Sequence, residues 1–213
     1  MARYRMIYSL FSLLIVISGC SSYYKALSPA VVDDACIDSV RPIGIATAWF
    51  DASVDVVGHH ISGLLLIKTM PDQSRRIVFT NEVGVTFFDF EFDDGGTFEV
   101  KRIIRQLDRK PVIETLKKDF FLLLAFPFRG DLQVWRMDEE TYVGAVNESE
   151  RWYFVTTADC STLQGLELGS GRKRKVLITL SGADMENPVQ IAIRHFTFDM
   201  SINLARIEKN ADQ

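Results

Sequence analysis

Cys20 has the most specific chemical surroundings of any residue in the chain. Arg3 and Arg5 precede an apolar run from Met6 to Ile17, and Ile17-Ser18-Gly19 leads directly to the thiol. A basic stretch, a short apolar stretch and small residues at a cleavage point are the parts of a secretory signal. The run is shorter than the roughly twenty residues that span a bilayer. Small side chains at 18 and 19 let a peptidase approach extended backbone. No other set of residues assembles a reaction. His59 and His60 adjoin Gly58 at an expected turn and His195 lies at an expected bend, so all three histidines read as surface or turn residues. No G-x-S-x-G elbow or H-E-x-x-H pair is present to supply a nucleophile or a metal-bound water. Asp33-Asp34 and Asp93-Asp94 lack further oxygen ligands at calcium-loop spacing, and Asp93-Asp94-Gly95-Gly96 reads as a turn. The expectation is therefore a protein that is not an enzyme, with no catalytic residue, metal or cofactor.

Ile17-Ser18-Gly19-Cys20 resembles a bacterial lipobox, which implies that the Cys20 thiol receives diacylglycerol and divides the chain into three parts. Residues 1–19 form the signal, 20–42 a lipidated N-terminus and tether, and 43–213 a single domain. Two or more acyl chains of the palmitate kind anchor stably where one is marginal. By resemblance to lipoproteins of double-membrane bacteria, Ser21-Ser22 after the cysteine implies the outer membrane. The lack of an acidic run there implies the periplasmic face. Net charge is −4 and becomes more negative once Arg3 and Arg5 leave with the signal. That balance argues against nucleic acid and against electrostatic docking to anionic lipid. Arg172-Lys173-Arg174-Lys175, after Gly169-Ser170-Gly171, reads as a solvated hairpin end. Cys36 and Cys160 form no CxxC or zinc spacing; in an oxidising compartment they are the candidate disulfide, tying the N-terminal segment to the domain.

Period-two alternation dominates from Ile43 onward. Ala48, Phe50, Ala52, Val54 and Val56 share one face, and Ile61 to Met70 is apolar on both. Ile77 and Phe79, then Phe88, Phe90 and Phe92, continue an antiparallel meander. One segment has another period: after Pro111, Val112, Leu116, Phe120, Leu123 and Leu124 recur at helical spacing, with Glu114, Lys117, Lys118 and Asp119 on the other side. Strands resume at Leu132. Val189, Ile191 and Ile193 are followed by Phe196, Phe198, Met200, Ile202 and Leu204, a parity change expected to be a bulge or a sharp bend around Arg194-His195. The sum is ten or eleven strands and one helix. A meander of that length must curl, close or split into layers. The expected fold is mainly β (α+β), a long curled antiparallel sheet with one amphipathic helix against its concave face.

The lipobox, the meander and the inserted helix together resemble the LolA/LolB-like superfamily of lipoprotein carriers and receptors. Ile61–Lys68 and Phe79–Phe90 are also similar to small lipoproteins of Bacteroidetes. The resemblance implies a half-barrel that holds acyl chains in an apolar cavity. The residues expected to line it are Phe50, Ile77, Phe79, Phe88, Phe90, Phe92, Leu116, Phe120, Phe196 and Phe198. It also implies lipid or acylated-protein cargo at the outer membrane, with the membrane reached through the N-terminal anchor. The alternative from another class is a structural or accessory lipoprotein of an envelope complex, without a lipid cavity and with an unidentified protein partner.

Overall fold

The computed structural model describes residues 22–31, 34–39, 45, 47–147, 149–171, 173–182 and 187–207. Cys20 and the signal lie outside them. Five strands follow the first alternating stretch: β2 (Ala48–Val56), β3 (His59–Thr69), β4 (Arg75–Thr80), β5 (Thr86–Phe92) and β6 (Phe98–Ile103). Seven follow the second: β7 (Gln133–Met137), β8 (Glu140–Val146), β9 (Arg151–Thr157), β10 (Leu163–Ser170), β11 (Lys173–Ser181), β12 (Gln190–His195) and β13 (Met200–Arg206). A two-residue strand, β1 (Ser28–Pro29), adds to the edge. All thirteen form one antiparallel sheet in the order β1-β7-β8-β9-β10-β11-β12-β13-β2-β3-β4-β5-β6. The two halves meet at β13 and β2, where Ile202 faces Val54 and Leu204 faces Ala52. β1 and β6 remain unpaired edges, so the sheet curls without closing: it is the half-barrel the sequence predicts.

Two differences from the sequence expectation account for the larger strand count. β1 is too short to show a period. The parity change after Ile193 is a hairpin and not a bulge: β12 ends at His195, residues 196–199 turn, and β13 returns with Ile193 opposite Ile202. Odd residues on β12 and even ones on β13 therefore share the inner face.

Antiparallel alternation places the turns at 57–58, 81–85 and 196–199 on one rim of the sheet, together with the loop 104–109. The helices are α1 (Asp34–Ser39) and α2 (Lys110–Leu123). α2 begins with Pro111 in its first turn, where a missing N–H costs nothing, and it ends at Ala125, which adopts φ 59° before a tight turn at Phe126–Phe128. It packs inside the curl through Leu116, Phe120 and Leu123.

Of the segment expected to act as a tether, the described residues 22–31 and 34–39 pack against the body. Tyr24 packs against the outer face of the sheet, with its ring centroid 5.4 Å from Tyr153 and 6.5 Å from Tyr142. Trp135, Met137 and Val155 complete this outer cluster. Gly169 makes the approach possible, since a Cβ there would overlap the Tyr24 ring. Glu167, buried beneath, accepts from Tyr24 Oη at 2.9 Å, Tyr23 Oη at 3.3 Å and Arg174 Nη1 at 2.8 Å. Burial pushes the Glu167 carboxyl up, and Arg174 with the two hydroxyls pulls the other way. Arg174 is thus no solvated hairpin residue. It lies 4.1 Å from the Tyr23 ring centroid and 4.4 Å from that of Phe196.

Cys36 in α1 is joined to Cys160 by a disulfide, with Cα atoms 5.3 Å apart and 124 positions between them. Cys160 sits at φ 59° in the β9–β10 turn. Asp159 braces that turn, accepting from Thr157 Oγ1 and Ser161, which holds its carboxyl at about 2. A bond closing so long a loop removes about 5 kcal/mol of unfolded-chain entropy. Replacing both cysteines by serine should lower unfolding free energy by about that amount in a denaturant titration. A loss under ~1 kcal/mol would contradict the constraint.

Candidate functional site

The inner face of the sheet is filled unevenly. Toward the rim away from α2's start, large rings meet: Phe92 lies 5.4 Å from Phe126, Phe121 5.3 Å from Phe126 and 5.7 Å from Trp152. Toward the other rim the inward side chains are smaller. Val54 and Val56 on β2, Ile61 on β3 and Val112 and Thr115 on α2 do not reach across the gap. The result is a pocket of about 420 Å³ between α2 and strands β2, β3, β4, β5 and β13. Leu65, Phe79, Phe88, Phe120, Met200 and Ile202 form its deeper walls, and Val57, Leu107 and Phe198 stand at the rim. Thr115 is the one lining residue with a polar side chain. The volume falls within the ~300–1,000 Å³ of small-molecule sites, and a lining without charge or a set of directed donors selects for hydrocarbon.

The ten residues expected to line a cavity separate into three groups. Phe79, Phe88, Leu116, Phe120 and Phe198 border the pocket. Phe50, Ile77, Phe90 and Phe92 face inward but are buried in the packed core, with Phe90 stacked 4.4 Å from Phe88. Phe196 is not inside at all. One residue past His195, the last of β12's inward series, it turns outward and sits between Arg174 and Arg194, with the latter 5.2 Å from its ring. The sequence reading missed the other lining residues, among them Leu65 and Met200 in the deeper walls and the shorter Val54, Val56 and Val112 that leave the space open. Their signal was present: a cavity forms where side chains stop short, so valine opposite valine marks it better than phenylalanine does.

His195 and Asp119 were expected at the surface and are buried. His195 Nε2 lies 3.0 Å from Asp119 Oδ2, both side chains being almost inaccessible. The pair links β12 to α2, and the His195 ring packs 4.7 Å from that of Phe198 at the pocket rim. Asp119 lies on the polar side of a simple helical projection. The curl of the sheet brings an inward histidine to meet that side. Asp119 Oδ1 has no hydrogen-bond partner, and burial raises its carboxyl above the ordinary 3.8, with His195 opposing. His60 is different: it is exposed, with Nδ1 2.8 Å from Asp55 Oδ1. Among the described residues no group of three His, Cys, Asp or Glu comes together as metal ligands would.

No family model matches the chain, and no curated protein matches its sequence. Two solved structures superpose on 82% of this chain and 88% of their own. One is a domain from Vibrio parahaemolyticus provisionally named as an outer membrane lipoprotein-sorting protein, 6% identical, with a TM-score of 0.44. The other is a DUF1329 family protein from Desulfovibrio piger, 6% identical, with a TM-score of 0.37. The class of protein is defined by the chain's own geometry: an open antiparallel half-barrel with an internal helix and an apolar pocket at one rim.

The Asp119–His195 pair makes a testable contribution to stability. Removing Asp119 leaves the buried His195 Nε2 without its hydrogen-bond partner, so Asp119→Ala should cost about 2 kcal/mol. The pH dependence has a definite sign. Because the folded state favours the protonated carboxyl, Asp119's contribution is complete below 3.8 and is lost as pH rises through its folded value. Asp119→Asn cannot ionise and should gain on the parent as pH is raised from acid toward neutral. Equal pH slopes for parent and variant in urea unfolding would refute the assignment.

Proposed function

We propose that this chain is a lipid-anchored envelope protein that holds an acyl chain, of a lipid or an acylated protein, in the pocket beneath α2. The observation that carries the reading is the pocket's composition, with fifteen apolar side chains and Thr115 around a rim-facing opening. Each buried methylene contributes about 0.8 kcal/mol, so a partly inserted chain suffices for useful affinity without a polar contact. The lipobox around Cys20 supports a location at the outer membrane, on its periplasmic face, where acylated cargo is found. The reading is of a binding protein and not an enzyme. Cys36 and Cys160 are bonded to each other, and the buried His195 hydrogen-bonds the Asp119 carboxyl group inside an apolar core.

The pocket is tested by uptake of a fluorescent fatty acid by the chain from Ser21 onward. Val54→Trp, which places a large ring in the space, should weaken uptake at least about tenfold, or ~1.4 kcal/mol. No uptake by the parent, or equal uptake by the variant, would overturn the acyl-binding reading. An envelope protein retained equally by parent and Val54→Trp would favour the structural role instead. The anchor is tested separately. Cys20→Ser should leave the precursor uncleaved and outside the lipoprotein fraction, because only sulfur at that position accepts diacylglycerol. A variant that matures and localises like the parent would refute the lipobox.

A further inference from the structure

Five of the ten exposed large hydrophobic residues among those described sit on three neighbouring hairpins of one rim. They are Val57 in the β2–β3 turn, Val83 and Val85 in the β4–β5 turn, and Phe196 and Phe198 in the β12–β13 turn. The same rim carries the pocket opening, since Val57 and Phe198 line it. Folding does not ask for the valine at position 57. Val57 and Gly58 both adopt positive φ, 47° and 77°, as a two-residue hairpin turn requires. Asparagine or aspartate suits the first of those positions, whereas a β-branched residue there is strained. The chain places a valine in that conformation and leaves it 67% exposed; Val83, in the next hairpin, is 85% exposed.

The N-terminus joins the fold beside this rim. Tyr23 stacks on Arg174, and Arg174 stacks on Phe196, so a single guanidinium separates the Tyr23 ring from the exposed ring of the β12–β13 turn. Ser22 comes next, and Cys20 is two residues before it in sequence. Two residues of fully extended chain span at most about 7 Å. A diacylglyceryl group on Cys20 therefore holds this part of the rim close to the membrane, because Tyr24 is locked against Gly169, Tyr142 and Tyr153 and leaves no slack. Lys173 and Arg194 are exposed beside the same turn.

We infer that the rim formed by turns 57–58, 81–85 and 196–199 lies against the phospholipid bilayer, with its apolar side chains in the interface and the pocket opening onto the acyl layer. The inference rests on the lipid-anchor reading of Cys20 and adds an orientation to it. Two routes to the same bilayer support it independently: the short path from Cys20 to Ser22, and an apolar surface whose valine is set in a strained turn.

The test uses the full acylated protein in phosphatidylethanolamine–phosphatidylglycerol vesicles carrying doxyl-labelled lipid. Environment-sensitive fluorophores are attached at Val57→Cys and Val83→Cys on the proposed surface, and at Asp72→Cys and Glu139→Cys on the opposite rim. The native cysteines are not available to the label, since Cys36 and Cys160 are bonded and Cys20 is acylated. Labels at 57 and 83 should be quenched at least about twofold more than those at 72 and 139. Uniform quenching, or stronger quenching at 72 and 139, overturns the orientation. So does water-like emission at 57 and 83 that is relieved only by adding an envelope protein, which would make the rim a protein-docking surface. Failure of the protein to float with the vesicles overturns it through the anchor. The Val54→Trp background separates this from the pocket: quenching at 57 and 83 should persist there even if acyl uptake is lost.

Discussion

The structure is governed by a mismatch between one sheet and one helix. Thirteen strands at about 4.8 Å spacing make a ribbon nearly 60 Å across, and its inner face is apolar almost throughout. Among the described residues the only helix of any length within it, α2, has fourteen residues, which is about 21 Å long and roughly 10 Å wide. One such helix cannot cover that face flat. The sheet must curl until its inner residues reach α2 and each other, and where short side chains prevent contact a space remains. Phenylalanine fills one part of the curl, valine and isoleucine leave the other open, and the pocket follows from the difference.

The pairing of β13 with β2 lets this happen within a single sheet. It joins residues 200–206 to residues 50–56, across nearly the whole domain, so both meanders share one concave face. A contact of such sequence separation forms late, after much chain entropy has been lost. The disulfide and the Tyr24 cluster act on the opposite half, holding the N-terminal segment to β7–β11, so the two edges β1 and β6 stay apart. The Asp119–His195 pair fastens α2 to β12 from within. Its burial costs energy that apolar packing alone would not, and what it provides is a fixed seat for the helix that roofs the pocket.

Most of the architecture was legible in the sequence because its signals are local. Alternation at Phe88, Phe90 and Phe92, or at Val176, Ile178 and Leu180, defines a strand face without knowledge of neighbours, and the spacing after Pro111 defines α2. What was not legible depends on partners far along the chain. Asp119 has the pattern of a solvent residue and becomes internal because His195, 76 positions on, reaches it across the curl. Tyr23 and Tyr24, in a stretch broken by prolines and aspartates, look like linker until Glu167 and Gly169 are set beneath them. The pocket was half visible. Its aromatic walls stood out by size, whereas the space is left by shorter side chains such as Val54, Val56 and Val112, which look alike in a packed core and around a space.

The central claim is that the volume left by this mismatch is a binding site and not a packing defect. It is tested most directly by nuclear Overhauser contacts between ¹³C-labelled palmitate and the methyl groups of the protein. The account predicts cross-peaks from the chain's methylenes to Val54, Ile61 and Ile202, with none to the outer-face methyls of Leu64 and Leu66. Contacts confined to the outer face, or none to those three residues at saturating palmitate, would contradict it.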